Sequence, residues 1–268
     1  MKPWPPTTFL QFEKAFDTSM GTARIMTDAG PAYIKALGNR QGPHALACDW
    51  VATNLASWFG LQTFDVAIMN LTSDDEIPYL RGGCAQPGPA FVAKAFEGKT
   101  WRDMAFELKA LDNPDDITRL VVFDTWTLNC DRHPADLAVR KPNYDNVFLT
   151  AGAHPGRWKL IAMDHTHCFT CGRDLTDKTA SIDRVKDSRA YGLFPEFQRW
   201  LSHDVVVHSA ARLRDISAAE VDKIIGQIPP QWQVSIAAAR GLGDLIRNRA
   251  AFVADNIQTW LWPDGFEG

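Results

Sequence analysis

Three side chains draw attention by type and setting. Asp131 lies in Asn129-Cys130-Asp131-Arg132-His133-Pro134, Asn146 opens the apolar run Asn146-Val147-Phe148-Leu149, and Asp164 closes Ile161-Ala162-Met163-Asp164. If the two apolar runs pair as a hairpin, all three reach one edge. There, one carboxylate could orient or deprotonate a hydroxyl while an amide oxygen and a second carboxylate held Mg²⁺ against phosphates. That is the chemistry of phosphoryl transfer. A lysine inside an apolar strand, Lys35, would add a cation for the phosphates. Taken alone, such a lysine is most often an edge residue with a solvated head, and Asp164 could simply cap a turn. Their order along the chain together with Asp131 gives them weight. Asn146 is the favoured amide because it opens a strand, with Asn143 and Asp136 as alternatives. Arg132 and His133 read as scaffolding.

A second constellation competes. His165-Thr166-His167-Cys168 and Cys171 contain H-x-H and C-x-x-C spacings that suit zinc, so a metal-dependent hydrolase using Asp164, His165 and His167 is an alternative. One C-x-x-C without a second ligand pair is a weak signal, and the plainer reading is a loop with two unpaired thiols.

The elements that must position these residues follow from periodicity and turn chemistry. Residues 10–17, 22–28 and 31–37 read as strands separated by turns at Ser19-Met20-Gly21 and Ala29-Gly30-Pro31. Ala47, Val51, Leu55 and Trp58 recur at helical spacing over 44–59, and Gly60 stands where a C-cap glycine belongs. Two more strands are expected at 64–71 and 89–96. A helix over 101–111 would take Thr100 as its cap, and another, with Asn113 as its N-cap and Pro114 in its first turn, would run to about 128. A polar loop over 129–145 leads into the hairpin, 146–150 with 157–163. Helical patterns then cover 188–201, 204–213, 217–226 and 241–260. The fold class is α+β. A small N-terminal antiparallel β lobe with one helix (1–97) would meet a mainly helical lobe (98–268) near Glu97-Gly98-Lys99.

Bulk properties narrow the field. The chain has 268 residues, 46% hydrophobic and 22% charged, which suits a globular protein with a sizeable core. A net charge of -4 gives no general reason to expect direct nucleic-acid or membrane binding. No apolar run is long enough for a signal peptide or a membrane span. Five irregularly spaced cysteines fit reduced thiols and a cytoplasmic location. Ten tryptophans could mark aromatic packing or an interaction surface.

The motifs in order resemble the HipA-like kinases, distant relatives of the phosphatidylinositol-3-kinase-like and protein-kinase folds. Asn129-Cys130-Asp131-Arg132-His133, Asn146 and the closing Asp164-His165 look like that family's catalytic loop and metal strand. Asp28-Ala29-Gly30-Pro31-Ala32-Tyr33-Ile34-Lys35 looks like its nucleotide strand. Gly38-Asn39-Arg40-Gln41-Gly42-Pro43 leads into the helix as in single-domain relatives. The landmarks run from about residue 20 to 169, and the C-terminal hundred residues match only as a helical lobe.

The resemblance implies a bilobal protein-kinase-like fold and an ATP- and Mg²⁺-dependent kinase, acting on Ser or Thr of a protein. It implies Asp131 as base, Lys35 on the phosphates and Asn146 with Asp164 on the metal. Asp49 would pair with Lys35 where relatives carry Glu, and Ser19, Gly21 and Thr22 would form the phosphate-covering turn. Ser19 lies where some relatives autophosphorylate. A small DNA-binding antitoxin is the partner the family suggests. Two features depart from the pattern: Asp49 is one methylene short, and Asn146 stands fifteen residues past Asp131 where about five is usual. They keep open a non-enzymatic alternative, a pseudokinase that binds nucleotide without turnover.

Overall fold

A computed structural model describes residues 4–138 and 140–265. Strands β1 (Phe9–Ala15), β2 (Ala23–Thr27), β3 (Gly30–Lys35), β4 (Val66–Leu71) and β5 (Gly88–Lys94) form one antiparallel sheet in the order β1-β2-β3-β5-β4. Helix α1 (Pro43–Phe59) connects β3 to β4. Pro43 fits the first turn, where its missing N–H costs nothing. Gly60, at φ 93°, ends the helix as its composition predicts. The α1 residues Leu46, Ala47, Val51, Leu55 and Ala56 are fully buried.

A second sheet of three strands, β6 (Gly98–Thr100), β7 (Val147–Ala151) and β8 (Trp158–Ala162), holds the expected hairpin. The remainder is helical: α2 (Ala105–Lys109), α3 (Asp115–Thr127), α4 (Ile182–Val185), α5 (His203–Arg214), α6 (Ala218–Ile225) and α7 (Ile236–Leu261). Among the described residues no helix is long and apolar enough to cross a membrane. All ten tryptophans are buried or half-buried, so they serve packing rather than forming an exposed aromatic face.

Three sequence expectations fail for identifiable reasons. The helix expected over 101–111 shrinks to α2, because the chain before it joins a sheet. Trp101 donates its N–H to the Val147 carbonyl at 2.7 Å, and Asp103 sits at φ 59°, a conformation that interrupts a helix. Thr100 therefore caps nothing; its hydroxyl donates to Asp145 at 2.8 Å. The helix expected over 188–201 is replaced by a bent segment and a short 3₁₀ turn, Pro195–Trp200. Gly192 there has φ 73°, and a Cβ on it would come within 2.3 Å of an Asp124 carboxylate oxygen. Asn113 does not cap α3 with its side chain. Instead it accepts from the Leu160 N–H at 2.9 Å and donates to the Leu160 carbonyl at 2.9 Å, stitching α3 to β8. In the other direction, α7 begins earlier than its periodicity suggests, because the Ser235 hydroxyl caps the Ala238 N–H at 3.1 Å.

Trp101 shows how the misread segment packs. It is fully buried, stacks on Phe197 at 5.1 Å and meets Tyr144 and Phe194 at 5.4 Å each. Trp101→Ala should destabilise the protein by about 3–5 kcal/mol, read as a lower urea midpoint; a change under about 1 kcal/mol would contradict this packing role.

Candidate active site

Lys35, the last residue of β3, points into the interior rather than to solvent. Its Nζ donates to Asp49 Oδ2 at 2.6 Å and to Asp164 Oδ1 at 2.9 Å. A buried ammonium is tolerated only when paired, and here two carboxylates share it. Burial works against the charge on Lys35, but Asp164 and Asp49 outweigh it and lift its pKa above the usual range. Burial likewise opposes ionisation of Asp164, yet Lys35 holds that carboxyl well below the ordinary value. Asp49 shifts the other way, raised by burial and by the charge of Asp164 despite Lys35. The shorter side chain of Asp49 therefore reaches the lysine. Its second oxygen accepts the His165 N–H at 3.0 Å, which ties α1 to the segment after β8. Asp164 adopts φ 54°, and both Lys35 and the Thr166 hydroxyl contact it through Oδ1.

Asp131 and Asn146 meet fifteen residues apart in sequence: Asn146 Nδ2 donates to Asp131 Oδ2 at 2.8 Å. Asn143 joins them, donating to Asn146 Oδ1 at 3.1 Å and lying 3.4 Å from Asp131 Oδ2. Residues 136–138 and Lys141 of the loop between Asp131 and Asn146 are exposed, and the loop's ends are held by Arg132. Its carbonyl accepts the Asn143 N–H at 2.8 Å, and its Nε donates to the Asn146 carbonyl at 3.1 Å.

Arg132 is itself wholly buried. It pairs with buried Asp124 on α3 and donates to the Met163 carbonyl at 2.7 Å. One guanidinium thus fixes the backbone beside both Asn146 and Asp164. Asn129 extends the scaffold, donating to Asp124 at 2.9 Å and accepting the Asp131 N–H at 3.2 Å.

Lys35, Asp49, Asp131, Asn143, Asn146 and Asp164 line a cleft of about 730 Å³ that also takes in Ser19, Thr22, Arg140 and His167. Its lining also includes an apolar group, Tyr33, Phe64, Phe91, Phe148 and Met163. Of the sequence candidates, Lys35, Asp49, Asp131, Asn143, Asn146 and Asp164 come together here. Asp136 does not: it is outside the cleft lining, and its Oδ1 accepts the Ala138 N–H at 2.9 Å. Gly21 is not at the cleft either. It makes the turn at φ 63°, where a Cβ would strike the Tyr79 ring at 2.5 Å. The expected cradle of amides in this turn is partly spent, because the Gly21 and Thr22 N–H groups donate within it, to the Thr18 carbonyl and hydroxyl.

The zinc reading finds no support. His165 is fully buried against Phe123, whereas His167 faces the cleft. Among the described residues no group of three or more His, Cys, Asp or Glu is placed to hold a metal ion.

Sequence reasoning missed two cleft residues, Arg140 and His167 as a polar neighbour of Asp131. Arg140 pairs with Asp131 Oδ1 at 2.7 Å and donates to His167 Nε2 at 3.2 Å. An arginine only donates, so Nε2 accepts, which puts the His167 proton on Nδ1, 3.2 Å from Thr166 Oγ1 and 3.6 Å from Asp131. Burial keeps His167 below its ordinary pKa, consistent with a neutral ring. The available signal was the basic pair Arg140-Lys141 inside the long loop after Asp131.

The fold and the site define the protein-kinase-like class: an antiparallel sheet with one helix, a helical part, and an acid-lined cleft. The chain belongs to the HipA-like kinase family, whose profile matches residues 26–255. Its fold is similar to that of the Helicobacter pylori proinflammatory kinase CtkA, at 13% identity and a TM-score of 0.64, over 96% of this chain and 99% of that one. HipA from the Shewanella oneidensis MR-1 toxin–antitoxin system, solved with HipB and operator DNA, matches at 10% identity and a TM-score of 0.48, over 95% of this chain and 68% of that one. No curated protein sequence matches.

The Asp124–Arg132 pair carries a direct test. Asp124→Ala leaves a guanidinium buried without its counter-charge and should cost about 3–5 kcal/mol of stability. Adding Arg132→Met should recover part of that loss, measured by chemical denaturation; additive losses in the double variant would contradict the pairing.

Proposed function

We propose that this kinase is ATP-dependent and transfers the γ-phosphoryl group to a Ser or Thr hydroxyl of a protein. The observation that carries the reading is the convergence, in one cleft, of the Lys35–Asp164 contact at 2.9 Å and the Asp131–Asn146 contact at 2.8 Å. The apolar group in the lining would receive the adenine, and Lys35, preoriented by Asp49, would contact the phosphates. The acceptor oxygen forms its bond to the γ-phosphorus as the bond to the β–γ bridging oxygen breaks. ADP leaves, and Asp131 takes the hydroxyl proton.

The donor set fits magnesium, a hard cation that prefers oxygen ligands. Asp164 keeps Oδ2 clear of its contacts with Lys35 and Thr166, and Asn146 presents an amide oxygen. These two residues would hold the ion, which when bound neutralises phosphate charge. Family membership also motivates a search for a small DNA-binding antitoxin, as part of this proposal.

Asp131→Ala and Asp164→Ala should each cost about 3–5 kcal/mol of transition-state stabilisation, or roughly two to four orders of magnitude in rate. The measurement is Mg²⁺-dependent transfer from γ-labelled ATP into the chain itself and into Ser/Thr peptides, with chelator as control. Transfer undiminished in both variants would end this assignment.

A further inference from the structure

Both oxygens of the proposed base are already engaged. Asp131 Oδ1 accepts from Arg140 at 2.7 Å, and Oδ2 accepts from Asn146 at 2.8 Å. With Asn143 also on Oδ2 at 3.4 Å, a hydroxyl that approaches Asp131 competes with these donors and gains most where one of them can move away. Asn146 is not the one, because its side chain is itself buried and Arg132 holds the backbone that carries it. Arg140 can. Its side chain is 37% exposed, next to exposed Lys141. Its remaining partners hold it weakly: the His167 ring nitrogen at 3.2 Å and the Cys130 sulfur at 3.7 Å.

A guanidinium leaves one carboxylate most readily for another anion, since the exchange conserves a charge-assisted contact. Two further cations nearby are not engaged by carboxylates of the described residues. Arg102 also lines the cleft, Lys141 stands exposed beside Arg140, and neither makes an ion pair or hydrogen bond among the described residues. Lys35, by contrast, is already balanced by two carboxylates.

We infer that Arg140 determines acceptor specificity. It guards Asp131 until an acidic protein segment brings a carboxylate next to its Ser or Thr, then moves to that carboxylate and frees Oδ1 for the hydroxyl. This deepens the kinase reading above and rests on it. Arg140 acts here on the acceptor's flank, not on the transferred group, so its removal should change which acceptors are used.

The test is a library of single-serine peptides, with each flanking position fixed in turn, phosphorylated by the wild-type chain and by Arg140→Ala and Arg140→Glu. Thermal unfolding would first establish that the variants remain folded. The wild type should favour Asp or Glu over Ala at a flanking position by about tenfold in kcat/KM, a ratio that should fall within about twofold of unity in Arg140→Ala. Arg140→Glu should shift preference to Lys or Arg. The inference is overturned if the wild type shows no acidic preference or Arg140→Ala keeps it. Equal loss on all peptides would also overturn it, because the guanidinium would then be serving the nucleotide's phosphates. A wild type that binds Mg-ATP in calorimetry but labels no peptide overturns the acidic-peptide inference alone, whereas one that binds no Mg-ATP removes the kinase reading beneath it.

Discussion

One ammonium held between a buried carboxylate and a half-buried one sets the geometry of this molecule. Lys35 comes from a strand, Asp49 from the helix that follows it, and Asp164 from beyond the hairpin 129 residues on. None of these charges could be buried alone, since an unpaired ion in a protein interior costs several kcal/mol. The chain must therefore bring β3, α1 and the end of β8 together. The His165 N–H on Asp49 adds a backbone link to the same cluster. The electrostatic requirement and the cleft are one feature seen from two sides.

A second buried pair does comparable work behind the first. Asp124 and Arg132 are fully buried, and Arg132 reaches the carbonyls of Asn146 and Met163. A point charge such as lysine could not do this; the planar fork of arginine can serve a carboxylate and two carbonyls at once. This anchoring is why so long a loop still delivers Asn146 to Asp131. The same loop places Arg140 on the carboxylate.

Much of the fold was legible, and the failures have a common cause. Helix α1 announced itself by apolar spacing and a C-cap glycine, and the hairpin by two apolar runs flanking a Gly/Pro turn. The segments 101–111 and 188–201 carry helix-compatible residues, but their conformations are set by distant partners. Trp101 hydrogen-bonds β7, and Gly192 closes on Asp124. Local propensity amounts to only tenths of a kcal/mol per residue, less than one buried hydrogen bond or aromatic contact can contribute.

For the candidate site, the sequence alone determined the chemical types: a strand lysine, a loop aspartate, an asparagine before one strand and an aspartate after another. Side-chain type and order are local properties, so they can be read directly. Only the tertiary structure decided which of Asn143, Asn146 and Asp136 face the cleft, whether a short Asp49 reaches Lys35, and that Arg140 lies on Asp131. Those outcomes depend on where a fifteen-residue loop and a helix end in space. Packing and the pairing of buried charge decide that over distances sequence spacing does not encode.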